Sequence, residues 1–249
     1  MTSPIARVGT IHSIETFGTV DGPGIRYTIF FQGCPLRCRY CHNRDTWNTE
    51  GGRQVTIDEL LEEIEQYRPF LESSGGGVTA TGGEPLLQAE FLCELFSELK
   101  AREIHTALDT SGFTAITPVV RQLLEVTDLV LLDIKHIDEE KHKKLTCVSN
   151  GWILEFAQYL SRNNKTMWIR HVVLEGYFED DQSDHRLAEF VRKLSNVERV
   201  ELLPYHSMGA FKWEALGLEY PLEGIEPPSA EKMEAVVEIF RAHGIEVTV

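Results

Sequence analysis

The chain has 249 residues, 42% of them hydrophobic, which is enough to form the core of a single large domain spanning 1–249. Its formal net charge of -15 would repel a phosphate backbone, so nucleic acid is not expected as a partner. No apolar run approaches membrane-spanning length, and the N-terminal region lacks the apolar stretch of a signal peptide. We therefore expect a cytoplasmic protein that does not bind membranes.

Strand-like apolar runs alternate along the chain with helical stripes. Thr56 is a candidate N-cap for a helix, and further apolar stripes with helical spacing lie at 91–99, 187–194 and 233–240. Strands are predicted at 26–31, 77–81, 105–109, 129–134, 167–174 and 197–203, with a last one at 245–249. Strands that alternate with helices predict an α/β fold, here a parallel sheet curled into a partial (β/α)6 TIM-type barrel.

Three of the five cysteines, Cys34, Cys38 and Cys41, fall within eight positions in the spacing C-x3-C-x2-C. Thiolates this close can face one metal centre, and iron–sulfur clusters are held by such runs. A cluster held by three thiolates leaves one iron open to a ligand that is not protein. Cys93 and Cys147 lie far away in the sequence, and we expect both to be inert packing thiols.

Two other metal sites fit parts of this motif. The three thiolates and His42 match the donor set of a structural zinc site, although His42 directly follows Cys41 and such sites usually take their last ligands from a distant pair. The segment 38–42 also satisfies the C-x-x-C-H pattern of c-type haem attachment, which belongs to exported proteins. The iron–sulfur interpretation is favoured over both.

The segment GCPLRCRYCHN at 33–43, with Tyr40 just before the last cysteine, resembles the cluster loop of the radical S-adenosylmethionine superfamily. Within that superfamily, the glycyl-radical-enzyme activases are similar to TVDGPGIRYTIFFQGC (19–34), HNRDTWNTEGG (42–52) and SGGGVTATGGEPLLQAEF (74–91). The resemblance implies a [4Fe-4S] cluster on Cys34, Cys38 and Cys41, with S-adenosylmethionine bound at the open iron. It also implies that the protein is a monomer.

Polar residues and glycines recur at the carboxyl ends of the predicted strands. In chain order, these are the cysteine loop, Gly82 to Glu84, Asp109 with Thr110, Asp133 with Lys135, and His206. The carboxyl ends of parallel barrel strands are where active sites are assembled, so this placement indicates an enzyme independently of the resemblance. The resemblance assigns S-adenosylmethionine contacts to Tyr40, Cys41, His42, Gly82, Gly83, Glu84, Asp133, Ile134, Lys135 and His206. It further implies a monovalent cation at Asp109, Thr110 and Asp133.

Each of these residues also has a plainer structural interpretation. The glycine pair can be an ordinary turn, Asp133 and Lys135 alternate along a strand end and can form a surface salt bridge, and Asp109 can cap a helix. His206 can serve as a hydrogen-bonding loop residue. Arg170 lies in the middle of a predicted strand, where an unpaired charge is costly, and is a candidate neighbour of the cofactor.

The resemblance implies reductive cleavage of S-adenosylmethionine and removal of a hydrogen atom from a glycine α-carbon of a partner enzyme. No acid or base residue is assigned, and the electron comes from a low-potential donor such as reduced flavodoxin or ferredoxin. The stretch from His42 to Thr81 has no cysteine, so the cysteine-rich insert of several other activases is absent. This absence favours pyruvate formate-lyase as the protein substrate.

Three questions stay open in the sequence. The glycines of the loop Asp21–Gly24 allow close approach of a substrate backbone, and Asp21 is a candidate contact for a basic residue of the incoming segment; the alternative is a tight turn with a solvated aspartate. A radical enzyme that acts on another glycyl-radical enzyme or on a small molecule would keep the same cluster and cofactor residues. A zinc module without catalytic activity is the third alternative.

Overall fold

The computed structural model describes residues 8–177 and 181–249, and their contacts divide the chain into two compact units. The first unit contains the described residues up to Cys34 together with Asn48–Thr110 and Thr114–Leu131. The second contains Pro35–Trp47, Ser111–Phe113 and the described part of Leu132–Val249. The single-domain organisation expected from the sequence stays a prediction.

The strands of the first unit form a mixed sheet in the order β3-β1-β2-β4-β5-β6. β1 is antiparallel to both β2 and β3, whereas β2, β4 and β5 are parallel. The strands are β1 (Val8–Gly18), β2 (Arg26–Phe31), β3 (Arg53–Thr56), β4 (Gly77–Gly82), β5 (His105–Thr110) and the first three residues of β6 (Leu129–Asp133).

Three helices belong to the first unit: α1 (Ile57–Ser74), α2 (Ala89–Ala101) and α3 (Pro118–Glu125). α1 begins where the sequence predicts, because the Thr56 hydroxyl accepts from the Glu59 N–H and the Glu59 carboxylate accepts from the Thr56 N–H. It ends at Gly75, which adopts φ +66. On its apolar face, Leu60 and Ile64 are at most 1% exposed.

The strands of the second unit are the last two residues of β6 together with β7 (Met167–Val173), β8 (Val197–Pro204) and β9 (Val247–Thr248), of which β7, β8 and β9 are parallel. Its helices are α4 (Glu139–Thr146), α5 (Gly151–Arg162), α6 (Asp181–Arg192), α7 (Ala210–Ala215) and α8 (Ala230–Ala242). Among the described residues, no helix is both long and apolar enough to cross a membrane.

The predicted strands and the α/β class are confirmed, but the sheet is mostly rather than wholly parallel, because β1 and β3, which were not predicted, form antiparallel pairs. β1 escapes the pattern because only one large apolar side chain, Ile11, is fully buried along its eleven residues. It therefore shows neither the continuous apolar run of a parallel strand nor strict alternation. The edge strands are β3 in the first unit and β9 in the second, so neither unit closes into a barrel by itself.

Replacing Thr56 by Ala should lower the free energy of unfolding by about 1 kcal/mol, because the N-terminal N–H groups of α1 lose their side-chain acceptor. Urea unfolding followed by circular dichroism measures this change. Glu62→Ala is the control, since Glu62 lies on the exposed side of the same helix. An equal loss of stability in both variants would contradict the capping role.

Candidate cluster and cofactor site

The cysteine loop follows β2, with Cys34 in the first unit and Cys38 and Cys41 in the second. The backbone N–H groups of Arg37 and Arg39 donate to carbonyl oxygens at the end of α4, at 2.8 and 3.0 Å. All five cysteines lie in the described residues, and none forms a disulfide. The thiols of the motif therefore remain available as ligands.

Two buried tryptophans donate hydrogen bonds to Cys41, one to its side chain and one to its backbone. The indole N–H of Trp47 donates to Cys41 Sγ at 3.2 Å, and the indole N–H of Trp213 donates to the Cys41 carbonyl oxygen at 3.0 Å. Burial raises the pKa of the Cys41 thiol, and the Trp47 hydrogen bond opposes that shift. Sequence reasoning missed both tryptophans, although Trp47 lies only six positions after Cys41.

Lys135 and Asp133 point to the same side at the end of β6, as their alternation predicts. Lys135 Nζ lies 3.0 Å from Asp133 Oδ2, and the two side chains are 12% and 24% exposed, so the salt bridge is largely buried rather than a surface pair. The ammonium also lies 5.6 Å from the centre of the Tyr40 ring. Burial acts to lower the pKa of Lys135, but the Asp133 carboxylate and Tyr40 hold it well above its usual value.

Ile134, between these two residues, contributes a fully buried side chain to the core. Its backbone N–H donates to the Arg170 carbonyl oxygen at 3.0 Å, and its carbonyl oxygen lies 2.8 Å from His171 Nδ1. Arg170 itself forms a salt bridge with Glu201, its register partner on β8, at 3.3 Å. The mid-strand charge is therefore compensated within the second unit.

His206 lies against the cysteine loop rather than in an isolated turn. Its ring centre is 4.3 Å from that of His42, and its carbonyl oxygen lies 3.1 Å from His42 Nε2. Burial lowers the pKa of His42, and the hydrogen bond to the His206 carbonyl oxygen opposes that shift. The Nδ1 atom of His206 is buried and has no hydrogen-bond partner among the described residues.

The glycine pair at the end of β4 fits closely against the backbone of β2 and of Gly33. The N–H groups of Gly83 and Glu84 donate to the carbonyl oxygens of Phe31 and Gly33, at 2.9 and 2.8 Å. A Cβ on Gly82 would lie 2.7 Å from backbone atoms of β2. These glycines are therefore required by packing, and any contact with a ligand amine would use carbonyl oxygens, because an amine donates.

Glu84 and Thr110 connect the ends of β4 and β5. Glu84 is 1% exposed, and its carboxylate accepts from Thr110 Oγ1 at 2.6 Å. The neighbouring Asp109 carboxylate accepts from Thr81 Oγ1. Asp109 lies inside β5, so its interpretation as a helix cap is wrong. The predicted rim of polar residues at adjacent strand ends is present in this unit.

Asp21 lies in the loop between β1 and β2. Its carbonyl oxygen accepts from Thr79 Oγ1 at 2.7 Å, and the same hydroxyl accepts from Nε of the fully buried Arg26 at 2.8 Å. Burial lowers the pKa of Arg26 to about 10, and the Asp21 charge opposes that shift. The loop is thus tied to β4, and the contact of Asp21 with a substrate stays a prediction.

The two cysteines outside the motif have different surroundings. Cys93 lies on α2 and is partly buried, whereas Cys147 follows the last turn of α4 and is exposed. The expectation that Cys147 is a packing thiol is therefore wrong. Its backbone adopts φ +66, which turns the chain away from the helix.

The donor chemistry of the cysteine motif is that of an iron–sulfur site. Three cysteines without disulfides supply the thiolate chemistry, and Trp47 donates to one of them. The buried Nδ1 of His206 and the buried hydroxyl of Tyr40 lack hydrogen-bond partners among the described residues, as expected of groups that meet a ligand. Within 8–177 and 181–249, no three His, Cys, Asp or Glu side chains are arranged to hold a single metal ion. The ligand assignment therefore stays a prediction.

Residues 28–188 match the sequence profile of the Radical SAM superfamily. The pyruvate formate-lyase 1-activating enzyme of Escherichia coli (strain K12) is 55% identical over 241 residues, which is 96% of this chain and 98% of that protein. The pyruvate formate-lyase-activating enzyme of Staphylococcus epidermidis is 53% identical over 239 residues, 94% of each chain.

A solved domain of a pyruvate-formate lyase-activating enzyme from Bacteroides vulgatus has a TM-score of 0.59 and 29% identity, over 70% of this chain and 98% of that one. The superfamily profile covers more than half of the chain, and the sequence relatives cover nearly all of it. The chain therefore belongs to the radical SAM superfamily.

Proposed function

We propose that this protein activates pyruvate formate-lyase by generating a glycyl radical on it. The observation that carries the proposal is the 55% identity to a pyruvate formate-lyase 1-activating enzyme across nearly the full length of both chains. The C-x3-C-x2-C motif with Tyr40 before its last cysteine supports the same chemistry. A radical SAM enzyme for another glycyl-radical enzyme or a small molecule is the alternative, and labelled-hydrogen transfer from a peptide that carries the target glycine distinguishes them.

When bound, the [4Fe-4S] cluster and S-adenosylmethionine supply the electron and the carbon radical that takes the glycine hydrogen. Cys34, Cys38 and Cys41 hold the cluster in this proposal. Lys135 binds the cofactor carboxylate, and the salt bridge with Asp133 keeps the ammonium charged and fixes its orientation. The protein therefore works by chelation and orientation.

The remaining contacts follow from the buried polar groups. His206 and Tyr40 each present a buried polar atom without a hydrogen-bond partner among the described residues, and the His42 ring lies beside that of His206, so these side chains suit the nucleoside part of the cofactor. Gly82 and Gly83 suit the methionyl amine through their carbonyl oxygens. Oxygen ligands at Asp109, Thr110 and Asp133 suit a hard monovalent cation.

A low-potential donor such as reduced flavodoxin or ferredoxin supplies the electron, and the protein acts as a monomer. Cluster thiolates must stay reduced, which supports the cytoplasm as the compartment.

Replacing Cys34, Cys38 or Cys41 by Ala should abolish cluster assembly, because all three thiolates are needed for one centre. Cys93→Ala and Cys147→Ala are the matched controls and should keep it. Iron and sulfide analysis of protein purified without oxygen measures the outcome. Loss of the cluster in Cys93→Ala would contradict the three-thiolate site.

Replacing Lys135 by Ala should weaken S-adenosylmethionine binding by about 2 to 5 kcal/mol, because the buried ammonium that pairs with the cofactor carboxylate is removed. The cluster should survive. Calorimetry on the cluster-loaded protein measures the affinity, with the exposed Lys144→Ala on α4 as control. Unchanged affinity in Lys135→Ala would leave this residue with a purely structural role.

Replacing Asp21 by Asn should leave cluster content and cofactor affinity intact and reduce the glycyl-radical yield on a peptide that carries the target glycine. The loss is modest, since an exposed ion pair contributes about 0 to 1 kcal/mol. Peptide binding at low ionic strength, where screening is weakest, measures it against Glu50→Gln in an exposed loop. Full radical yield and normal peptide affinity in Asp21→Asn would contradict the substrate contact and favour the interpretation of the loop as a tight turn.

A further inference from the structure

Trp47 and Trp213 contact Cys41 in chemically different ways. Trp47 is 9% exposed and its N–H donates to the sulfur, whereas Trp213 is 5% exposed and its N–H donates to the backbone carbonyl oxygen. The two rings meet edge to face, with their centres 5.3 Å apart. A buried indole N–H normally finds an acceptor, but only that of Trp47 uses a proposed cluster ligand atom.

Two guanidinium groups lie over the Trp47 ring. The Arg44 guanidinium carbon is 4.0 Å from the centre of this ring and 5.3 Å from that of Trp213, and Arg37 is 5.0 Å from the Trp47 ring. A cation over an indole face is attracted to its electrons and polarises the ring. The polarised N–H is a stronger donor, so Arg44 and Trp47 act together on the Cys41 sulfur.

Reduction of a [4Fe-4S] cluster adds one electron and forms or breaks no bond. The added negative charge is shared with the sulfur ligands, so N–H donors to sulfur and nearby cations stabilise the reduced form more than the oxidised form. Hydrogen bonds to sulfur and local charge are recognised determinants of the potential of such clusters. N–H donors to sulfur and nearby positive charges therefore raise the reduction potential of the cluster.

We propose that the Trp47 N–H, reinforced by the Arg44 charge, raises the reduction potential of a cluster bound through Cys41, so that a low-potential one-electron donor can reduce it. The inference rests on the proposed function, because it requires a cluster on this cysteine. Trp47 and Arg44 are positioning and tuning residues in this scheme.

Trp47→Phe tests the proposal, because it keeps an aromatic ring and removes the N–H. Trp213→Phe is the matched control, since it removes an N–H that donates to a carbonyl oxygen of the same residue. A potentiometric titration, with the reduced cluster quantified by electron paramagnetic resonance, gives the midpoint potential. For Trp47→Phe we expect the midpoint potential to become more negative by up to about 59 mV. At a fixed potential, a shift of that size lowers the ratio of reduced to oxidised cluster about tenfold.

A negative shift in Trp47→Phe with little change in Trp213→Phe supports the proposal. An unchanged potential in Trp47→Phe overturns it, and so do equal shifts in both variants, because these would report a general loosening of the loop. If Trp47→Phe does not retain its cluster, Arg44→Gln provides the test. A more negative midpoint potential in Arg44→Gln supports the proposal, and an unchanged midpoint potential overturns it. Absence of iron in the unmutated protein would instead refute the proposed function, so the two failures are distinguishable.

Discussion

The cysteine loop depends on hydrogen bonds to elements that follow it much later in the chain. It has no regular secondary structure of its own, so its buried backbone groups need partners elsewhere. Arg37 and Arg39 donate to the end of α4, and the Cys41 carbonyl oxygen accepts from Trp213 on α7. The spacing of the thiols therefore acquires a defined geometry only when the second unit is folded around Cys38 and Cys41.

The second unit compensates its buried charges before any ligand binds. Lys135 pairs with Asp133 through alternation along one strand end, and Arg170 pairs with Glu201 through the register of β7 and β8. Desolvated charges without partners would be costly, so both pairs have a structural reason. In the proposed function, a ligand carboxylate at Lys135 would share the ammonium with Asp133.

The glycine pair at the end of β4 illustrates how packing and binding constrain the same residues. A Cβ on Gly82 would meet the backbone of β2, and a Cβ on Gly83 would meet the backbone of Gly33. The Gly83 N–H donates to Phe31 of β2, the Glu84 N–H donates to Gly33, and the Glu84 carboxylate accepts from Thr110 on the neighbouring strand. Packing alone therefore explains glycines at these two positions, whatever further role their carbonyl oxygens have toward a cofactor.

The sequence alone determined the thiol motif, the parallel α/β class, the start of α1 at Thr56 and the shared direction of Asp133 and Lys135, because local spacing, capping and alternation decide these features. Only the tertiary structure decided that β1 exists, that the rings of His206 and His42 lie in contact, and that Trp47 and Trp213 bind Cys41. The antiparallel pairing of β1 with β2 and β3, and the contact of residues more than 160 positions apart in the sequence, depend on chain segments brought together by packing, which no local pattern encodes.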